Sequence, residues 1–387
     1  MDQVDRTTGA PGAPSNGLRS YGVFMNVETD ERTPAAAGVA RPGEPDAAVR
    51  QEPAVRLPEA VPTPAADVAA TGALPATRAG GVLELSPRIA ARQARLRSTR
   101  GVRGAFNRVG FRFGLSPGEQ RDADRREVIR TALPAVYQVA VLGVKGGVGR
   151  TTVTAALGST FAKVRSDRVV AVDLGPHFGD LANRVAHNKY GLTLRDLVHA
   201  NNIEVFSEVL GYTATNAADL CVLASSWRIE AADPFSGEEY GRAFEILRRH
   251  FNLVLVDCGA AVLDSAVTKV LETSSAVVIV TSSTYGGLNG AVATFNWLRA
   301  RGMQHLIAKA VVAIVDQHPG RRSVDLGAVE DLFEEAGQPT FRIPFDSHLA
   351  EGRLVDQRLL ERQTRSALED LAAGLASEFP MRRGEPR

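Results

Sequence analysis

The stretch Val144-Lys145-Gly146-Gly147-Val148-Gly149-Arg150-Thr151-Thr152 constrains this chain more than any other. An apolar run, Val139-Ala140-Val141-Leu142, leads into it, and a helix-forming run, Val153-Thr154-Ala155-Ala156-Leu157, leads out. A strand, a glycine loop and a helix start form a cradle for a phosphate chain. The glycines let the backbone curl until its N–H groups point inward, and the helix N-terminus adds partial positive charge. The Thr151 hydroxyl stands where such loops ligate Mg²⁺. Lys145, Gly146, Gly147, Val148, Gly149, Arg150, Thr151 and Thr152 are therefore the expected nucleotide-binding residues. One of them departs from the usual loop: the lysine expected before the threonine is Arg150. Arginine keeps the charge but is longer and planar, so it does not drop into the same space.

From Tyr137 onward, strand-like and helix-like runs alternate. The strand candidates are 138–142, 169–172, 220–223, 253–256, 276–281 and 310–315. They are short, β-branched and apolar throughout rather than alternating, the pattern of strands covered on both faces. Helical runs fall between them at 151–164, 193–199, 240–250, 263–271, 290–301 and 323–336, and a last one at 359–379. This order predicts an α/β fold, a doubly wound and mostly parallel sheet. In the last helix Leu368, Leu371 and Leu375 share one face and mixed charges occupy the other. That is a core-docking face rather than a membrane anchor, whose polar side would be mainly basic.

Two apolar runs end in an acid. Val169-Val170-Ala171-Val172 runs into Asp173, and Leu253-Val254-Leu255-Val256 runs into Asp257. In a parallel sheet such acids project at the carboxyl edge, beside the phosphate loop. There Asp257 can hold a water on Mg²⁺ or accept from Thr151. Asp173 and Asp257, with Lys145, are the candidate catalytic residues, and Thr151 and Asp257 the candidate Mg²⁺ ligands. Asp316 ends the run 310–315, where it reads either as an acceptor for the exocyclic amine of adenine or as a strand cap. Cys221 and Cys258 are the only cysteines and lie in apolar strand-like contexts, so a reducing cytoplasm is the simplest setting. Cys258 is expected to be a small core residue rather than a nucleophile. The histidines lack metal-ligand spacing, and Trp227 and Trp297 read as packing residues.

The first 80 residues differ in kind. They hold half of the 20 prolines, and their only aromatics are Tyr21 and Phe24. Such a segment buries too little apolar surface to offset its ordering entropy, so residues 1–80 are expected to be disordered. Residues 81–131 are expected to form a basic segment with short helices. From Arg88 to Arg112 eight arginines occur with no acid among them, interleaved with apolar residues. This suits nonspecific DNA, an anionic membrane or an acidic protein, or else a solvated linker. Gly114-Leu115-Ser116-Pro117-Gly118 matches the letters of a nucleophile elbow, but the residue after the serine must donate an N–H and proline has none. Ser116-Pro117-Gly118-Glu119 reads instead as a helix start: N-cap serine, proline in the first turn, then an acid. The nucleotide domain is expected over 132–387. No run approaches the roughly 18–20 apolar residues that span a bilayer. The polar, acidic N-terminus is unlike a signal peptide.

The segment Lys145-Gly146-Gly147-Val148-Gly149-x-Thr151-Thr152 resembles the deviant phosphate loop (deviant Walker A) of the MinD/ParA ATPases, whose mark is the extra lysine at the position of Lys145. The strand ending in Asp173 resembles their second motif, Asp257 their Walker B acid, and Ile343-Pro344-Phe345-Asp346 the loop near the base, which adds Pro344 to the nucleotide-binding set. The resemblance covers about 138–379. The order of a Pro/Ala-rich start, a basic segment, and Gly114-Leu115-Ser116-Pro117-Gly118-Glu119 ahead of the loop is similar to EspI-like MinD-type proteins of actinobacterial type VII secretion.

The resemblance implies ATP and Mg²⁺ as ligands, with Lys145 reaching a partner protomer's nucleotide in a nucleotide-dependent homodimer. It also implies a secretion-apparatus or other protein partner, and a cytoplasmic place that extends to the inner membrane face. ATP is preferred to GTP because no Asn/Thr-Lys-x-Asp signature is present. A second departure then matters. The family's Asp-x-Asp-Pro motif is Asp173-Leu174-Gly175-Pro176 here. Glycine cannot orient the attacking water, a loss worth about 10²–10⁴ in rate, unless Asp180 substitutes. Three readings stay open: a hydrolysing dimer switch that positions a secretion or partition complex, a degenerate non-hydrolysing adaptor, and a DNA-associated partition protein.

Overall fold

A computed structural model describes residues 116–175, 179–225, 234–259, 262–320 and 324–380. The tail at 1–80, the arginines from Arg88 to Arg112, Pro176 and Trp227 lie outside the described residues.

The first described element is α1, Pro117–Ile129. Ser116 caps it, with its side chain accepting from the Glu119 N–H while the Glu119 carboxylate accepts from Ser116 N at 3.0 Å. This reciprocal box satisfies two backbone donors that a helix start leaves unpaired. Then follow β1 (Tyr137–Leu142), α2 (Arg150–Val164), β2 (Val169–Asp173), α3 (Leu181–Val185), α4 (Leu194–His199) and α5 (Phe206–Tyr212). After these come β3 (Ala214–Thr215), β4 (Cys221–Leu223), α6 (Gly237–His250), β5 (Leu253–Asp257), α7 (Ser265–Thr273), β6 (Ala276–Ser282) and α8 (Tyr285–Ala300). The chain closes with α9 (Gln304–Ile307), β7 (Ala310–Val315), α10 (Leu326–Glu335), β8 (Thr340–Ile343), α11 (Ser347–Ala350) and α12 (Arg362–Ala376).

Among the described residues eight strands form one sheet, in the order β3-β4-β2-β5-β1-β6-β7-β8. Every pairing is parallel except β3 with β4. The expected doubly wound, mostly parallel sheet is therefore the observed one. Each of the six apolar runs is a strand, and β1, β2, β5 and β6 are buried at every position. Two cores explain this. One face packs Val170, Val254 and Ile279 against Leu197, Tyr240, Leu247 and Leu298. The other packs Val139, Leu255 and Val278 against Leu157, Phe161, Leu368, Leu371 and Leu375. Leu368, Leu371 and Leu375 of α12 are thus core residues, as their spacing predicts. Trp297 packs against the first core.

The strands β3 and β8 and the short helices α3, α5, α9 and α11 were not expected from sequence. The helix α1 falls within 81–131, the segment expected to be basic with short helices. Ile129 is fully buried in the second core. Arg125 binds Asp370 and Ser366 of α12, and Arg126 binds Glu369 at 2.7 Å. The helix α1 is one layer of the fold. Among the described residues no helix is long and apolar enough to cross a membrane.

Candidate functional site: a phosphate-loop cavity

The strand β1 lies between β5 and β6 at the middle of the sheet, so the loop after it opens at the point where the strand order reverses. Gly147 (φ 74°) and Gly149 (φ 95°) take the left-handed conformation that glycine alone adopts without strain. Gly149 is the N-cap of α2 and supplies no side-chain cap, which leaves the first-turn N–H groups of the helix facing the loop. Gly143 is required for another reason: a Cβ there would stand 2.7 Å from the Val280 carbonyl. The loop is thus pressed onto the neighbouring strand.

Thr151 hydrogen-bonds the Asp257 carboxylate. Asp173 is the register partner of Asp257 on the adjacent strand, and both are 2% exposed. Two buried carboxylates side by side are costly. Burial pushes both above the ordinary carboxylate range, and Asp173 is raised further by the charge of Asp257. Thr151 and Arg150 act on Asp257 in the opposite direction. Burial and Asp257 also push the Cys258 thiol up, which keeps it protonated. Cys258 is fully buried, so the core reading of it holds.

Arg150 does not reach into the loop as a clamp. Its guanidinium folds back and donates to the Gly143 carbonyl. Burial lowers its pKa, and the nearby Asp257 partly offsets this. Lys145 is exposed. Its stem crosses Gly290 of α8, where a Cβ would stand 2.9 Å from Lys145 Cγ.

Asp173 also organises the turn after β2. Its carboxylate accepts from Gly175 N at 2.8 Å and Leu181 N at 3.1 Å. A Cβ on Gly175 would meet Gly179 Cα at 2.9 Å and Asp173 Oδ1 at 3.0 Å, and a Cβ on Gly179 would overlap the same carboxylate. Gly175 is therefore built into the turn, not only substituted at a functional position.

A cavity of about 370 Å³ opens beside the loop. Gly147, Val148, Gly149, Arg150, Thr151 and Thr152 form one wall; Asp316, Pro344 and Asp346 lie on others. Lys145, Asp173 and Asp257 are not among the lining residues. The structure thus joins the loop to Asp316 and Pro344, sets the acid pair behind it, and leaves Lys145 outside. Asp316 is 5% exposed, and the Arg342 fork grips its Oδ2 at 2.9 and 3.0 Å. It is an ion-paired residue at the strand end as well as a wall residue. Four contacts had no sequence signal. Gln317 donates across the cavity to the Gly147 carbonyl. Asp346 accepts from Glu361 N at 2.9 Å. Arg184 donates to Asp180 Oδ2 at 3.2 Å and to the Leu349 carbonyl at 3.1 Å.

Comparison with known proteins agrees with this geometry. A family model described as an AAA domain matches residues 136–306. The ESX-1 secretion-associated protein EspI of Mycobacterium tuberculosis is 37% identical over 280 residues, 71% of this chain and 41% of EspI. The structure of a ParA family ATPase from Chlorobium tepidum matches with a TM-score of 0.53 at 21% identity, covering 62% of this chain and 98% of that one. The septum site-determining protein MinD of Pyrococcus horikoshii, complexed with Mg-ADP, matches with a TM-score of 0.50 at 19% identity, covering 61% and 94%.

The chain has the MinD/ParA fold and is related to EspI.

The structural neighbours show the MinD/ParA fold, and the EspI match ties the chain to a secretion-associated relative. The chain spans less than half the length of the EspI sequences it matches.

Proposed function

We propose that this MinD/ParA-like protein binds Mg-ATP in the cavity beside β1 and acts as a nucleotide-dependent dimeric switch in the service of a secretion complex. One observation carries the ligand: Thr151, on the cavity wall, is hydrogen-bonded to the buried Asp257 behind a loop whose Gly147 and Gly149 take positive φ. The donor set fits Mg²⁺. A hydroxyl and carboxylates are hard oxygens, and a divalent cation would relieve the repulsion between Asp173 and Asp257. Bound Mg²⁺ would be held at Thr151 and Asp257 and would neutralise phosphate charge. The MinD neighbour holding Mg-ADP and the secretion-associated EspI relative support the reading. The exposed Lys145 is free to meet a second protomer, which supports the dimer.

Hydrolysis is expected to be slow. Arg150 donates its guanidinium to the Gly143 carbonyl, and the turn has no room for a side chain at Gly175. These two observations favour a second reading, an adaptor that holds nucleotide without cleaving it. Phosphate release from Mg-ATP by the full chain, against Thr151→Ala, separates the two. Binding without release above the variant identifies the adaptor, and release abolished by the variant identifies the enzyme. No nucleotide binding at all would overturn both. Light scattering with and without Mg-ATP tests the dimer.

A further inference from the structure

Of the described residues lining the 370 Å³ cavity, two are cations, Arg150 and Arg184, and three are acids, Asp180, Asp316 and Asp346. Two of these acids are compensated by other groups. Arg342 holds Asp316. Asp346 accepts backbone N–H groups from His348 at 3.0 Å, Leu349 at 3.4 Å and Glu361 at 2.9 Å. Arg150 is committed to the Gly143 carbonyl. The remaining charged pair on the walls is Asp180 with Arg184.

That pair is loosely made. Of the Arg184 guanidinium only Nε reaches Asp180, at 3.2 Å, long for a charge-assisted hydrogen bond, while Asn183 Nδ2 holds the other carboxylate oxygen at 2.7 Å. The Asp180 side chain is 44% exposed and Arg184 16%. A phosphate offers more charge than one carboxylate and suits the planar fork of a guanidinium. We propose that Arg184 is the phosphate-binding cation of this cavity, kept in reserve by Asp180, and that nucleotide binding exchanges the Asp180–Arg184 pair for a phosphate–Arg184 pair. The proposal rests on the nucleotide-binding reading above and deepens it.

Two consequences follow from the neighbours of Arg184. Asp180, released, stands near Asp257, whose carboxyl it already affects through its charge. Arg184 is also tied to the segment after β8. Its Nη1 donates to the Leu349 carbonyl, and its own carbonyl accepts from Val355 N at 2.8 Å. A shift of Arg184 toward phosphate therefore pulls on both α3 and the 346–355 segment.

The test measures binding of a fluorescent Mg-ATP analogue and of tripolyphosphate to the full chain, with circular dichroism on each variant. Arg184→Gln is expected to weaken both ligands at least tenfold, Arg184→Lys to restore part of the loss, and Asp180→Asn to tighten binding severalfold. Equal binding by Arg184→Gln and the unaltered protein overturns the proposal. So does an Asp180→Asn variant that weakens binding as much as Arg184→Gln, because the pair would then be structural. If Arg184→Gln fails to fold, Arg184→Lys and Asp180→Asn decide alone. Unaltered protein that takes tripolyphosphate but not ATP overturns the nucleotide reading and leaves Arg184 as an anion ligand, provided Arg184→Gln abolishes that binding. Unaltered protein that takes neither overturns both.

Discussion

Restoring the missing acid by Gly175→Asp is expected to destabilise the protein rather than activate it. The new Cβ would stand 2.9 Å from Gly179 Cα and 3.0 Å from Asp173 Oδ1, so the turn must open. Overpacking of this kind costs about 1–3 kcal/mol. The added carboxylate also faces the buried Asp173–Asp257 pair. At a separation of about 5–6 Å and an effective dielectric of about 20, one like-charge contact costs about 3 kcal/mol. The sum is about 4–6 kcal/mol, against a total stability of about 5–15 kcal/mol for a typical domain. At about 2–4 °C per kcal/mol for a fold of this size, the melting temperature should fall by about 8–24 °C. Differential scanning fluorimetry of the full chain measures it, with Gly175→Ala as comparator. Alanine carries the steric cost alone. The gap between Asp and Ala should narrow as the pH drops toward 5 and the carboxyls take up protons. A Gly175→Asp protein that melts within about 2 °C of the parent would refute the packing argument, and with it the claim that glycine is required by the turn.

Three further outcomes are expected. The raised pKa values of Asp173 and Asp257 mean that the folded state binds more protons than the unfolded state above about pH 4. Their contribution to stability is therefore fully present at low pH and is lost as the pH rises. Melting with EDTA should show this loss, Mg²⁺ with nucleotide should reverse it more at pH 8 than at pH 5, and Asp257→Asn should flatten the profile. Thr151→Ala should abolish Mg-dependent nucleotide binding with a melting change of only a few degrees, read by calorimetry with and without Mg²⁺. Ile129→Ala, which empties a fully buried site under α1, should cost about 2–5 kcal/mol in urea unfolding while leaving nucleotide affinity unchanged; a cost below about 1 kcal/mol would detach α1 from the fold.

The centre of the sheet was legible because its strands are buried on both faces and so are written as unbroken apolar runs. The edges were not. Two residues, Ala214 and Thr215, suffice for β3, and β8 is only half buried over most of its length, so neither carries a run long enough to read. Helices of four to seven residues such as α3, α5 and α11 show no period over so few turns. At the site, the residue types in the loop and the two acids are local properties and were readable. The fate of their side chains was not. That Arg150 turns to Gly143 depends on space beneath the loop. That Arg184 meets Leu349 joins positions 165 residues apart. Gly175 was visible as a departure, but its reason, the approach of Gly179, belongs to the folded turn.

The clasp between α1 and α12 has a consequence for the order of synthesis. Arg125 and Asp370 are 245 residues apart, and α1 is made before any strand of the sheet. At about 5–20 residues per second the ribosome needs roughly 12–50 s to deliver the partner of α1. For that interval α1 and the sheet face meant for α12 lack that helix as cover. A factor that shields apolar surface on nascent chains has this window in which to act, and the domain becomes closed only when its last helix emerges.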